Sequence, residues 1–329
     1  MEKRPRILFT STFPAPFITA DFESLSKVFS VQWIRSHGIG ALAEYVRAIA
    51  SCDVTFSWFA SVHSAFVVLL VKIFHKKSII VLGGADVANE KDYDYGIWNS
   101  PWKSVIVRYG IRHADLVLPV AEALKQEAIR LADYDGKNIE TLPTGYDVER
   151  WKPAGPKEQF VLTVGATPDL VRVKKKGMDV LLQVAKRLPD VPFVVIGIAP
   201  EVQRQLEIPS NVQCLPFVPQ NELMHYFQRA KVFFQPSRHE GMPNTLCEAM
   251  LCGCVPVGAN VYGIPAAIGP AGFLVDGDDV ARYAGALIQA LAASDSAGRA
   301  ARERIVELFP KEKREERLKN LIVSLNKKR

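Results

Sequence analysis

The sequence predicts an α/β protein of two successive doubly wound domains, each a parallel sheet joined by crossover helices. Three observations carry this. Short apolar strands alternate with helical stretches through most of the 329 residues. The pattern is broken at Trp151-Lys-Pro-Ala-Gly-Pro156, a natural linker, and restarts after it. Each half is then about 150 residues long, an ordinary domain size.

In the first half, strands are expected at 6–10, 28–33, 54–58, 78–82 and 116–120, with helices at 41–50, 64–74, 104–112 and 121–131. Residues 6–10, Arg-Ile-Leu-Phe-Thr, are a short apolar run, and 54–58, Val-Thr-Phe-Ser-Trp, are β-branched and aromatic. Ala65-Phe-Val-Val-Leu-Leu-Val-Lys-Ile-Phe74 is too short to span a bilayer and contains Lys72, so it reads as a buried helix. In the second half, strands are expected at 160–164, 193–196, 211–215, 232–235, 255–257 and 272–275. Helices are expected at 177–187, 221–229 and 280–293, with a further element over 240–251. Two such halves imply Rossmann-like domains facing a central cleft, at 1–152 and 153–305. Residues 306–329 form a separate segment. Pro310 opens a charged amphipathic helix whose Leu318, Leu321, Ile322 and Leu325 share a stripe, expected to pack back on the first domain. Its Lys327-Lys-Arg329 end reads as a solvated terminus favoured by the helix dipole.

Composition narrows the class. Apolar residues at 48% and charged residues at 23% describe a globular protein without a disordered signature. The net charge of +6 favours anionic partners without choosing among them. The start, Met-Glu-Lys-Arg-Pro-Arg, leads into no signal peptide, so a cytoplasmic location is expected. Five cysteines give no disulfide framework, and Cys247, Cys252 and Cys254 lack the paired spacing of a metal site, so buried thiols and no metal are expected. No Gly-x-Gly-x-x-Gly follows a strand, which disfavours a nicotinamide-dependent dehydrogenase. Basic residues are dispersed and not interleaved with aromatics, which disfavours nucleic acid as a partner.

Chemistry concentrates in Glu240-Gly-Met-Pro-Asn-Thr-Leu-Cys-Glu248. Gly241 and Pro243 are turn residues, and Pro243 suits the first position of a short helix. Glu248 would then lie one turn after Asn244 on the same face, with Glu240 in the loop below. Amides from Gly241 through Met242, Pro243, Asn244 and Thr245 surround a helix start, a ready anion site, although proline has no N–H to give. A carboxylate on either side can accept sugar hydroxyls. The strand at 160–164 is followed by Gly165-Ala-Thr-Pro-Asp-Leu-Val-Arg-Val-Lys-Lys-Lys-Gly177, whose Arg172 and Lys176 can neutralise a diphosphate. Strand 232–235 leads directly through Pro236-Ser-Arg-His to Glu240, so the basic and acidic segments are expected at one edge of one sheet.

These residues resemble a known family. Pro236-Ser237, Glu240-Gly241, the glutamate pair, Gly263-Ile-Pro265 and Gly272-Phe-Leu-Val275 look like the second domain of family 4 glycosyltransferases with the GT-B fold. Leu142-Pro-Thr-Gly-Tyr-Asp-Val-Glu-Arg-Trp-Lys-Pro153 is similar to the entry into that domain, and Lys176-Gly177 to its donor-phosphate segment. The resemblance implies retaining, metal-independent transfer of a hexosyl group from a nucleoside diphosphate sugar, a co-substrate rather than a bound cofactor. It implies that Arg172 and Lys176 stabilise the departing diphosphate, that Glu248 binds the ribose and that Glu240 binds sugar hydroxyls near the reacting carbon. Gly165 and the amides around Gly241 to Thr245 would help hold the donor.

The first half departs from the family pattern. The loop after the first strand is Ser11-Thr-Phe-Pro-Ala-Pro-Phe17 rather than glycine-rich, and Val81-Leu-Gly-Gly-Ala-Asp86 has glycine where a histidine is common. Gly83, Gly84 and Asp86 are open to two readings, a hydroxyl-accepting cleft or a tight turn in which Asp86 caps a helix. His239 reads as a surface loop histidine. The acceptor is unspecified: a glycan, a lipid-linked sugar or a small alcohol. Phe13, Phe17 and Phe22 with the basic surface allow peripheral contact at the inner membrane face. A nucleotide-sugar epimerase of the same fold and a non-catalytic sugar-nucleotide or polyanion binding module are the alternatives.

Overall fold

The computed structural model describes residues 4–34 and 42–327. Ala41, expected to start the helix over 41–50, and Lys328 and Arg329 at the charged end lie outside the described residues. Two compact units emerge. The first takes the chain up to Gly145 and again from Lys311, and the second is Tyr146–Pro310. The division thus falls before the Trp151–Pro156 stretch, and the last helix lies in the first unit.

The first unit is built from β1 (Arg6–Thr10), α1 (Pro16–Ser26), β2 (Ser30–Ile34), α2 (Leu42–Ser51), β3 (Val54–Trp58), α3 (Val62–Ile73), β4 (Lys77–Leu82), α4 (Pro101–His113), β5 (Leu116–Pro119) and α5 (Glu122–Ala132). Its sheet has the order β2-β1-β3-β4-β5, parallel throughout. β3 is buried at every position, as a strand covered on both faces must be. α1 lies in a segment where only a loop was expected: Pro16 takes the first helical turn, where its missing N–H costs nothing. Phe22 is half-buried, its ring 5.6 Å from Phe9 and 4.8 Å from Trp33, and Phe17 packs 5.0 Å from Trp58. Of the three aromatics expected at a membrane face, only Phe13 is largely exposed.

The C-terminal helix, Lys311–Lys327, belongs to this unit through a buried ion pair. Arg314 donates from Nε and Nη2 to the two oxygens of Asp21, at 2.7 Å each, and from Nη1 to the carbonyls of Leu142 and Pro143. Trp58 Nε1 donates to the same Asp21 carboxylate at 3.1 Å, and the guanidinium lies 5.6 Å from the Trp58 ring. Leu318 and Ile322 of the predicted stripe are fully buried.

The second unit contains β6 (Glu158–Thr167), α6 (Leu170–Lys175), α7 (Met178–Arg187), β7 (Phe193–Ile198), α8 (Pro200–Gln203), β8 (Val212–Leu215), α9 (Gln220–Arg229), β9 (Ala230–Gln235), α10 (Asn244–Leu251), β10 (Val255–Ala259), α11 (Ile264–Ile268), β11 (Phe273–Val275), α12 (Val280–Ala292) and α13 (Asp295–Leu308). The sheet order is β11-β10-β9-β6-β7-β8, again parallel. β6 and β9 are neighbours, so the segments that follow them emerge side by side. α13 had no counterpart in the expected elements. It packs Ala301 and Ile305 inward, and Arg302 donates to the carbonyls of Trp151, Val148 and Leu251. Cys247, Cys252 and Cys254 are buried thiols, burial pushing the first two up to about 12 and Cys254 upward as well.

Candidate active site

The segment after β6 differs from the expected basic loop. Asp169 caps α6 by accepting from the Arg172 amide at 2.7 Å, and a tight helical turn runs through Lys175. That turn separates the cations. Arg172 is exposed, whereas Lys175 and Lys176 are partly covered, and Lys176 donates from Nζ to Glu240 Oε1 at 2.7 Å. Gly165, in β6, lies under Lys176: a Cβ there would meet the lysine stem at 3.3 Å.

Gly177 links the two segments. Its φ is +64°, and a Cβ on it would overlap the Pro236 carbonyl oxygen. The chain can turn from α6 into α7 against the β9 loop only with glycine there. Gly177→Ala is therefore expected to destabilise the second unit by about 1–3 kcal/mol, seen as a lower urea midpoint; an unchanged midpoint would mean the turn adapts. Arg238 secures the same junction. It donates to both oxygens of Asp179 at 2.8 Å, to Asp278 at 2.7 and 2.9 Å, and to the Lys174 carbonyl. The Asp179 and Asp278 carboxylates hold its guanidinium firmly protonated against burial.

Glu240 sits at the centre. It is buried, and Oε1 accepts from Lys176 and, at 3.2 Å, from Gln235 Nε2, which also donates to Ser237 Oγ at 2.6 Å. Burial pushes the carboxyl up, but the Lys176 and Lys175 ammoniums with the Lys176 and Ser237 hydrogen bonds outweigh it and hold the group down at about 2. Glu240 is thus a fixed anion. Lys175 moves the other way: burial lowers it, Arg172 adds to that and Glu240 opposes it. Lys175 and Gln235 were not among the residues assigned to the site from sequence. Gln235 reads there only as the end of a strand, and Lys175 as one cation of a run.

Gly241, Met242 and Pro243 form a buried turn between Glu240 and α10. Pro243 caps α10 instead of opening it, and Asn244 is the first helical residue. Tyr146 OH donates to Asn244 Oδ1 at 3.0 Å, fixing the helix start to the first residue of the unit. Asn244 and Thr245 are partly exposed in the first turn, where amides have no partner within the helix. Glu248, one turn on, is partly exposed, and burial pushes its carboxyl up to about 8 against the pull of Arg150. The two glutamates therefore differ in charge state at neutral pH. His239, expected at the surface, is buried with its ring 4.0 Å from that of Tyr262.

In the first unit, Asp86 sits in a tight turn. Its carboxylate accepts from the amides of Gly84 at 2.7 Å, Ala60 at 3.0 Å and Gly83 at 3.1 Å, and it lies in a single helical turn, Ala85–Val87. Burial pushes it up to about 6 against those amide bonds. Its oxygens organise the β4 exit from within the helical turn, which Gly84 rather than Asp86 caps.

A family model places this architecture. Residues 148–307 match glycosyl transferases group 1. The second unit is a glycosyl transferases group 1 domain. D-inositol 3-phosphate glycosyltransferase of Mycobacterium sp. strain KMS is 28% identical over 208 residues, covering 56% of this chain and 46% of that protein. The same enzyme of Thermobifida fusca is 28% identical over 212 residues, with 54% and 49% covered. The chain spans about half the length of the curated relatives it matches. Among solved structures, sucrose-phosphate synthase of Thermosynechococcus elongatus superimposes with a TM-score of 0.80 at 16% identity, covering 98% of this chain and 99% of that one. Anabaena HepE, solved with UDP and glucose, gives 0.78 at 15% identity, covering 97% and 100%. The fold is that of GT-B glycosyltransferases, two parallel-sheet Rossmann-like domains. In the group 1 domain, Lys176, Glu240 and the α10 start gather at the C-terminal edge of the sheet, where open parallel sheets bind ligands.

Proposed function

We propose that the protein is a retaining, metal-independent glycosyltransferase moving a hexosyl group from a nucleoside diphosphate sugar to a sugar or lipid-linked acceptor. The observation that carries the reading is the buried Lys176–Glu240 pair in a group 1 domain. In such a transfer the bond between the anomeric carbon and the diphosphate breaks, and its electrons leave on the phosphate, where charge develops. A fixed ammonium there lowers the barrier most. Lys176 supplies it, with Arg172 as the outer, exposed cation. Glu240, ionised throughout the neutral range, accepts the sugar hydroxyls, and the amides before Thr245 hold phosphate oxygens. The first donors to try are UDP-sugars, since the neighbour HepE was solved with UDP-glucose. Five unpaired cysteines fit a reducing, cytoplasmic compartment.

The test is a thermal-shift screen of nucleotide sugars, since a donor that binds the folded state raises its melting temperature. Turnover is then measured on the hits with and without a chelator, and the product's anomeric configuration is read by NMR. Binding without turnover across several acceptors would leave a binding module. An inverted product, or activity lost with the chelator, would remove the corresponding part of the reading.

Glu248 gives a pH prediction. As a ribose ligand it must accept hydroxyl protons, which its ionised form does best, yet burial pushes its carboxyl up to about 8. Nucleoside diphosphate binding at pH 7 should therefore release a proton, and affinity should rise as pH approaches 8. Calorimetry in buffers of different ionisation enthalpy measures this release. For stability the sign is opposite: the raised folded value adds stability below the unfolded value of 4.5, and this is lost as pH rises through about 8. Glu248→Gln should abolish both dependences.

A further inference from the structure

α3 is apolar on nearly every face, and such a helix is ordinarily buried all round. One side is: Val67, Val68 and Val71 are in the core. The other is not. Phe66, Leu69 and Ile73, at helical spacing on one stripe, are exposed, Ile73 at 62%. The reading of this segment as a buried helix is thus half wrong. The adjoining α4 exposes Trp102 at 60% and Val105 at 64%. The two helices touch closely: a Cβ on Gly110 of α4 would lie 3.0 Å from the Ala65 Cα of α3. Five large apolar side chains therefore share neighbouring helices of one unit, an unusual exposure for a protein in water.

The charges on the two helices themselves have one sign. α3, residues 74–77 and α4 contain Lys72, Lys76, Lys77, Lys103, Arg108 and Arg112, and no Asp or Glu. Asp115 meets Lys72 at 3.8 Å and Lys77 at 3.3 Å, Asp133 meets Arg112 at 3.6 Å, and the segment leading into α4 contains Glu90, Asp92 and Asp94. The Lys103 ammonium lies 5.6 Å from the Trp102 ring centroid, so apolar anchor and cation share one spot.

We propose that this α3–α4 face docks the protein on an anionic lipid surface. Trp102, Phe66, Leu69, Val105 and Ile73 enter the acyl boundary, and Lys103 with its basic neighbours meets the headgroups. Two copies of the face would set cations against cations, which argues against self-association as its cover. No helix among the described residues is long and apolar enough to cross a membrane, so the contact is interfacial. The inference needs no assumption about the donor.

The experiment is co-sedimentation of the whole protein with phosphatidylcholine vesicles, with and without phosphatidylglycerol, at low and high salt. Binding is expected with the anionic vesicles at low salt and is largely lost at high salt or on neutral vesicles. The double variant Trp102→Ser, Ile73→Ser should reduce partitioning by on the order of tenfold or more, with an unchanged melting temperature because both side chains are exposed. Three results would overturn the proposal: no sedimentation with anionic vesicles at low salt, equal binding by the variant, or a wild-type dimer in solution that the variant dissociates.

Discussion

Lys176→Met is expected to lower stability by about 3–5 kcal/mol, because it leaves the buried Glu240 charge without its nearest cation. Lys175 remains beside Glu240, which favours the lower end of that range. The diagnostic is the double variant Lys176→Met, Glu240→Gln. It removes charge and countercharge together and should recover most of the stability while recovering no transfer. Glu240→Gln alone should cost transfer about 10²–10³-fold and leave nucleoside diphosphate affinity nearly intact. The pH profile provides a second readout. The depressed Glu240 value contributes stability above the unfolded 4.5, lost as pH falls toward about 2, so acid sensitivity in that window should shrink in both Glu240→Gln backgrounds. Urea midpoints across pH, with donor turnover, decide the matter. A cost below about 1 kcal/mol for Lys176→Met would put the pair in the class of solvated surface bridges. Full activity in Glu240→Gln would end the donor-site reading.

Arg314→Leu should cost a similar amount, about 3–5 kcal/mol, in the first unit. Its side chain and that of Asp21 are each only 5% exposed, and the Leu142 and Pro143 carbonyls lose their donor as well. The loss should be local in origin: amide hydrogen exchange should rise first along Lys311–Lys327. Restoring neutrality with Asp21→Asn should recover part of it, since the uncompensated carboxylate is the costlier half. Unchanged exchange in that helix would mean that Leu318 and Ile322 hold it without the ion pair.

The strands were legible because each is a short apolar run with punctuation, and the meeting of the two site segments followed from β6 and β9 both ending there. What was hidden has physical reasons. α1 was masked by Pro14 and Pro16, turn signals of which the second is also a sound helix start. α6 was hidden because six residues leave too short a period to read, so the exposure of Arg172 and the partial burial of Lys176 could not be told from the run of cations. The three amides that Asp86 gathers were not legible, because one of them, Ala60, is distant in sequence. His239 looked exposed because a loop residue's burial depends on a partner, Tyr262, that is distant in sequence.

The bridge that closes the second unit has a consequence for biosynthesis. Tyr146 donates its amide to the Phe309 carbonyl at 2.9 Å, so this unit begins and ends at the same point, as an inserted domain does. A ribosome emits residues 146–310 as one uninterrupted block that can fold while synthesis continues. The first unit, started earlier, must wait with Asp21 lacking its cation until Arg314 has emerged. The older half of the nascent chain is therefore the one exposed longest to chaperones and proteases.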